Sequence, residues 1–464
     1  MTNRLNLFLK TNQIDSKVSL FHSILNIPFL LIILTMNQGL FAQPYNVYFD
    51  WQLSCSTRKD KFDFILPKAM RRHGIDMWII VDKGRGAEPM TQDFGPETSY
   101  GNGIIVFTDK GAGRIERVVF GGEGGMIDEC GAYDFFLEPG ELKKFIKERD
   151  PKKIGINYST EKKIMPMEGR HAVDGLSHTD YNNLKTEIGK PYSSRLTSAE
   201  LLISDYRSER VIGEIIAFSK VANTTIKLLE RALSNEVIII GRTTQLDIGW
   251  WLENQREKLN YQRGWQPTVF LSPPNGIEIA NTDRVVLHGD ILQIDWGIGK
   301  NNYFTDLKRV AYVLNKNETE LPQWMDGAFN NSKNVRNIIK ENVKPGRTGK
   351  EILNDLRQKI KDAGYVYTEK ERPSDVPGIE VNVGMHSAGN LGHDQGGSIF
   401  AIYPTRKNYI VQPNSIISFE FIVFTPVDEW RDTKVPICIE ENALITESGI
   451  QWIHPPQEKV LIIR

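Results

Sequence analysis

The stretch "IDWGIGKNNYFTDLKR", Ile294 to Arg309, decides how the second half of this chain is read. Ile291, Leu292 and Ile294 lead into Gly299-Lys300-Asn301-Asn302, and Tyr303, Phe304, Val310 and Tyr312 follow, which is the pattern of a β-hairpin. A turn centred between Lys300 and Asn301 sets Asp295 directly opposite Asp306. Opposed side chains sit about 4.5–5.5 Å apart at Cβ, and like charges there are destabilising. Alone, such a pair is more often a solvated hairpin surface. Buried, it needs something to neutralise it.

Candidate partners lie further along the chain. "GMHSAGNLGHDQGG" carries His386 and His393 in a Gly-rich segment, "SIISFEF" places Glu420 in an apolar strand, and "VPICIEENALIT" does the same for Glu440. An isolated buried carboxylate pays a large desolvation penalty, so acidic residues inside apolar strands call for a shared remedy. A pair of divalent cations would convert repulsion among Asp295, Asp306, Glu420 and Glu440 into ligation, and oxygen-rich sites with one imidazole suit Mn²⁺, Fe²⁺, Co²⁺ or Zn²⁺. Taken singly, each residue has a blander reading. His386 would be a structural loop histidine, Glu420 a strand residue paired with Lys or Arg, and Glu440 a solvent-facing neighbour of Glu441. Their joint occurrence points to metal.

These segments resemble the metallopeptidases of the aminopeptidase P, prolidase and methionine aminopeptidase group, family M24, which share the pita-bread fold. "IDWGIGKNNYFTDLKR" is similar to the group's Asp pair, "HSAGNLGHD" to its His-to-His-Asp segment, "SFEF" to its first Glu strand and "CIEENALIT" to its second. The resemblance covers residues 205–455 as a pita-bread catalytic domain and, more loosely, residues 50–197 as a creatinase-type α/β domain, which together imply an α+β fold. It implies two divalent metal ions, Mn²⁺ foremost, held by Asp295, Asp306, His386, Glu420 and Glu440. By this carry-over Asp295 binds one metal, Asp306 and Glu440 bridge, and His386 and Glu420 bind the other. Glu420 would also handle the proton of the attacking water, and His393 would steady the substrate. The implied activity is removal of the N-terminal residue from short peptides by an Xaa-Pro aminopeptidase or dipeptidase-like homodimer. Two alternatives share the fold: a non-peptidase hydrolase of the creatinase kind, and a catalytically silent binding protein.

The chain departs from the group in places. Where a proton-relaying His follows a Ser-Gly-x-Asn segment, "SPPNGIEIANTD" offers Asn275 with Glu278 or Ala280 near the expected position. Asn382 stands where prolidases often have His, and Cys438 where an Arg usually precedes the Ile-Glu pair. These departures bear on efficiency and Xaa-Pro preference rather than on metal binding.

Bulk properties fit a globular enzyme. The chain has 464 residues, 40% of them hydrophobic, which allows two or three domains. Lys+Arg (57) and Asp+Glu (58) nearly cancel with no long run of either sign, so no nucleic-acid partner is expected. Arg4, Lys10 and Lys17 precede the apolar run "IPFLLIILT" and a cleavage point after Ala42, which makes residues 1–43 an export signal or an uncleaved anchor and the protein periplasmic or secreted. Cys55, Cys130 and Cys438 allow at most one bridge.

Residues from 58 to about 195 alternate helical and strand-like pieces: "DKFDFILPKAMRRHGI" is helical, while "MWIIVDK", "GIIVFTD", "RVVFGG" and "KKIGINYS" read as buried strands. "SDYRSERVIGEIIAFSKVANTTIKLLERAL" then reads as one long helix. Beyond it, "GRTT" at Gly241 and "GRTG" at Gly346 each separate two helices, and Thr348 with Glu351 forms a capping box, so the second zone reads as two related halves. His171, His178 and His288 read as ordinary histidines, and Arg309 as a brace for the hairpin or an acidic neighbour.

Overall fold

The computed structural model describes residues 47–82, 88–95, 103–121, 125–161, 173–273, 276, 280–430 and 433–464. Residues 1–43, read from the sequence as an export signal or anchor, and His171, Asn275 and Glu278 therefore lie outside the described residues. Residues 47–52 are helical and belong to a separate unit, while residues 53–464 form one compact unit.

The four strands read from the first zone are present as Met77–Val81, Ile104–Asp109, Ile115–Phe120 and Ile154–Ile156. With Phe135–Leu137 and Leu196–Ser198 they make a six-stranded mixed sheet in which Met77–Val81 pairs antiparallel with Ile104–Asp109 and parallel with Ile154–Ile156. Cys55 and Cys130 are joined in a disulfide, Cα to Cα 5.4 Å, and Cys438 is free.

The long helix expected after this sheet is broken. Glu200–Ser208 ends, the backbone turns extended at Val211, and Ile212–Ala232 begins. The cause is tertiary. Arg210 turns inward to Glu214 at 2.9 Å and Asp394 at 2.7 Å, and the Glu214 carboxylate accepts the Val211 N–H at 3.0 Å as a cap. A fully buried guanidinium must be paired where its partners are, even at the cost of helical hydrogen bonds.

The remaining chain repeats one plan. Thr244 caps the helix Gln245–Lys258 with Asp247 as the reciprocal partner, and Thr348 caps Gly349–Asp362 with Glu351, as expected from the sequence. In the first half, Ile212–Ala232 and Gln245–Lys258 back a sheet of Thr268–Ser272, Ile291–Trp296, Leu307–Val313 and Leu461–Ile463. In the second, Gln323–Asn342 and Gly349–Asp362 back a sheet built on Glu380–Ser387, Ser415–Pro426 and Lys434–Thr446. Ile352, Leu353, Leu356 and Ile360 put one stripe of Gly349–Asp362 into that core. Each such side chain contributes about 1.5–3 kcal/mol on burial.

Strand periodicity then sorts the side chains. Phe419, Phe421 and Val423 pack under the helices along with Val435, Ile437 and Ile439, which sends Ser418, Glu420, Ile422, Pro436, Cys438 and Glu440 to the opposite face. In the first half Leu292, Ile294 and Trp296 join the core, leaving Gln293 and Asp295 on the other side. Both polar faces border one cleft.

The hairpin differs in register from the expectation. Asn301 and Asn302 both have positive φ, 52° and 68°, and form a two-residue turn one position later than expected. Asp295 is therefore opposite Lys308, not Asp306. Because side chains alternate with a period of two, Asp306 stays on the same face, diagonal to Asp295.

Candidate metal centre

The cleft between the two sheets holds about 580 Å³ and brings Asp295, Asp306, Glu420, Glu440 and His393 to its floor, with His386 just beneath. Glu420 and Glu440 are directly opposed across neighbouring strands, and His386, on the strand at the other side, is opposed to Ser418, two residues before Glu420. His386 Nε2 lies 3.6 Å from Asp306 Oδ2, 3.9 Å from Glu420 Oε2 and 3.9 Å from Glu440 Oε1. His393 Nε2 reaches Asp306 Oδ2 at 3.4 Å, and its ring stacks on His386 at a centroid distance of 4.0 Å.

Each residue singled out in the sequence as a ligand or catalytic group is thus in one place. Oxygen and nitrogen atoms of Asp295, Asp306 and Glu440, of His386, Glu420 and Glu440, and of Asp306, His386 and His393 form three overlapping groups compact enough to hold an ion.

Electrostatics explain why the arrangement demands a cation. Burial, with Asp295 as a close negative neighbour, holds the Asp306 carboxyl well above its usual range. Burial and Asp306 do the same to Glu440. Burial also pushes His386 well below the usual imidazole range, so it stands neutral with a lone pair to offer. Among the described residues, Asp306 Oδ2, Asp295 Oδ1 and His386 Nε2 are buried without a hydrogen-bond partner. Orphaned acceptors that converge are what a divalent ion satisfies, and the donor set suits one.

Lys308 is the residue that sequence reasoning missed. It is 8% exposed, and its Nζ lies 2.6 Å from Glu420 Oε1, 2.8 Å from Glu440 Oε2 and 3.1 Å from Asp295 Oδ2. Burial works against its charge, but Asp295, Glu420 and Glu440 outweigh that and hold it well above the ordinary lysine range as an ammonium. The signal was present: Lys308 stands two residues after Asp306 in a strand, hence on the same face.

Other expectations sort as follows. His393 Nδ1 meets the Tyr403 hydroxyl at 2.5 Å, and the neighbouring Asp394 turns away to Arg210 at 2.7 Å. Arg309 is buried against Glu441 at 2.9 Å, a brace as expected, and that contact also explains why Glu441 faces away from the cleft. His288 bonds the Leu314 carbonyl, and His178 contacts Asn182. Trp265, Phe270, Phe400, Ile422, Phe424 and Pro436 give the cleft an apolar wall. A Cβ at Gly384 would stand 3.4 Å from Glu420 Oε2, so glycine there leaves room beside the carboxylate.

Residues 217–447 match the sequence profile of Metallopeptidase family M24. Among solved structures, the X-Pro aminopeptidase from Thermotoga maritima MSB8 is 17% identical with a TM-score of 0.59, covering 85% of this chain and 99% of its own. The Xaa-Pro dipeptidase from Bacillus anthracis is 16% identical with a TM-score of 0.55, covering 88% and 99%. The prolidase from Pyrococcus horikoshii OT3 is 17% identical with a TM-score of 0.53, covering 87% and 99%. No curated protein matches in sequence. The α+β architecture is therefore the pita-bread fold with its α/β domain in front.

Proposed function

Because this chain belongs to metallopeptidase family M24, we propose that it is a metal-dependent exopeptidase of the Xaa-Pro aminopeptidase or dipeptidase kind, hydrolysing the N-terminal bond of short peptides at a centre built for two cations. The observation that carries this reading is the convergence of Asp295, Asp306, His386, His393, Glu420 and Glu440 on the floor of one cleft. Asp306, His386, Glu420 and Glu440 would hold a divalent ion, which when bound polarises the scissile carbonyl as a Lewis acid.

The chain's own groups supply the rest. Glu420 is partly open to the cleft and takes the proton of the attacking water. His393 is exposed to the cleft, its Nδ1 held by Tyr403, and its Nε2, 3.4 Å from Asp306, is placed to steady the substrate. The wall of Phe270, Phe400, Ile422, Phe424 and Pro436 excludes water from a compact apolar side chain, and a proline ring suits it. A cleft of this volume takes a few residues rather than an extended polypeptide. Export is part of the same reading, supported by the charged and apolar pattern of residues 1–43 and by a Cys55–Cys130 disulfide that an oxidising compartment permits.

One observation favours the silent-binder alternative, namely an ammonium among the carboxylates. A digest separates the two. Full-length protein supplied with Mn²⁺ is incubated with a library of short peptides, free or acetylated at the N-terminus, and products are identified by mass. The exopeptidase reading expects products shortened by one residue from free peptides and none from acetylated ones. Equal cleavage of both sets would overturn the N-terminal specificity, and no cleavage of either would favour the binder.

A further inference from the structure

The centre has two positions for a cation, and the oxygen atoms divide between them. Glu420 Oε1, Glu440 Oε2 and Asp295 Oδ2 face the Lys308 ammonium. Glu420 Oε2, Glu440 Oε1 and Asp306 Oδ2 face His386 Nε2 instead. Each glutamate thus bridges the two positions with one oxygen apiece. An ammonium has three N–H donors and no acceptor; Lys308 donates one to Glu420 and one to Glu440, and Asp295 completes the cluster as an ion pair at 3.1 Å.

We infer that Lys308 is a built-in substitute for one of the two metal ions, and that this chain binds a single divalent cation, on the His386 side, among Asp306, His386, Glu420 and Glu440. The inference takes its ligands from the metallopeptidase reading but does not depend on peptide turnover.

Three features support it. A metal on the Asp295 side would need the same carboxylate oxygens at about 2.0–2.2 Å, within the volume the ammonium fills. Lys308 has no simple way out, because it is buried, its backbone is fixed opposite Asp295 in the hairpin, and its departure would strand three carboxylates. On the other side the imidazole nitrogen of His386, 1% exposed, has no hydrogen-bond partner among the described residues, nor has Asp306 Oδ2. One position is satisfied by the chain itself; the other still wants an ion.

The test counts metal. Full-length protein is stripped with chelator, dialysed against Mn²⁺ alone, and assayed by elemental analysis and by electron paramagnetic resonance, which separates an isolated Mn²⁺ from an exchange-coupled pair. The expected result is one Mn²⁺ per chain with an isolated-ion spectrum in the wild type, and two with a coupled spectrum in Lys308→Thr. A wild type that binds two ions, or none, would overturn the inference. So would a folded Lys308→Thr variant that still binds only one. If that variant does not fold, the wild-type count and spectrum decide alone. Failure here is distinct from failure of the exopeptidase reading, since a protein with one ion that cleaves nothing refutes only the latter.

Discussion

Lys308 stands directly opposite Asp295 in the central hairpin, with its Nζ 3.1 Å from the Asp295 carboxylate. The hairpin therefore carries its own countercharge, and Asp306 lies on the same face beside it rather than across from Asp295. Four carboxylates, one ammonium and the two imidazoles of His386 and His393 meet at the base of the cleft. Such a group is stable only while its positive members are in place.

Removing the ammonium should expose that dependence. In metal-free protein, Lys308→Met leaves Asp295, Glu420 and Glu440 facing one another without a cation, and breaking a buried ion pair from one side costs about 3–5 kcal/mol. The urea midpoint should fall accordingly and recover when Mn²⁺ is added. A metal-free variant as stable as the wild type would show that the ammonium does not hold the cluster together.

Stripping the metal should lower the melting temperature of the wild type, because an ion that binds only the native state stabilises it by mass action. The shift should grow with the Mn²⁺ concentration restored. Asp306→Asn removes one of the orphaned oxygens on the His386 side, so chelator should change its melting far less. Identical melting of wild type with and without chelator, in samples shown to contain metal beforehand, would count against the centre.

Glu420→Gln keeps the side-chain shape, removes the proton acceptor and weakens one ligand shared by Lys308 and the His386 position. Peptide hydrolysis should fall by roughly 10²- to 10⁴-fold, the range associated with general acid–base groups. Turnover by this variant within a few-fold of wild type would rule out the role given to Glu420.

Glu88 supplies a pH test away from the centre. It is 2% exposed, and burial raises its carboxyl to about 7 despite hydrogen bonds from the Met90 N–H and the Asn157 amide. A raised folded value means that the native state favours the protonated acid. The contribution to stability is full below the ordinary glutamate value, is lost as pH rises from about 4.5 to about 7, and is gone above that. The difference across that window is on the order of 3 kcal/mol. Glu88→Gln should gain stability relative to wild type between pH 5 and pH 8 in urea titrations. A constant difference over that range would mean that Glu88 does not titrate there.

What the sequence by itself determined was which residues to look for as one group and which elements carry them; the fold gathers them in one cleft. Asp295, Asp306, Glu420 and Glu440 are legible because carboxylates inside apolar strands are locally anomalous and a period of two assigns them to the face away from the core, whereas His386 was legible only by its resemblance to the family's His-to-His-Asp segment. The strands of the first sheet and the two capped helices were legible for similar local reasons, namely runs of β-branched and apolar residues and reciprocal Thr–Asp and Thr–Glu caps. The hairpin register was not. Lys300-Asn301 and Asn301-Asn302 both suit a turn, and only the pairing of whole strands selects the second. The break before Ile212 was not legible either, since the force that makes it comes from Asp394, far along the chain. Lys308 joins both lessons. Its side of the strand followed from its position, but its role did not, because an ammonium becomes a substitute for a metal only when three carboxylates from three strands are folded around it and water is kept out.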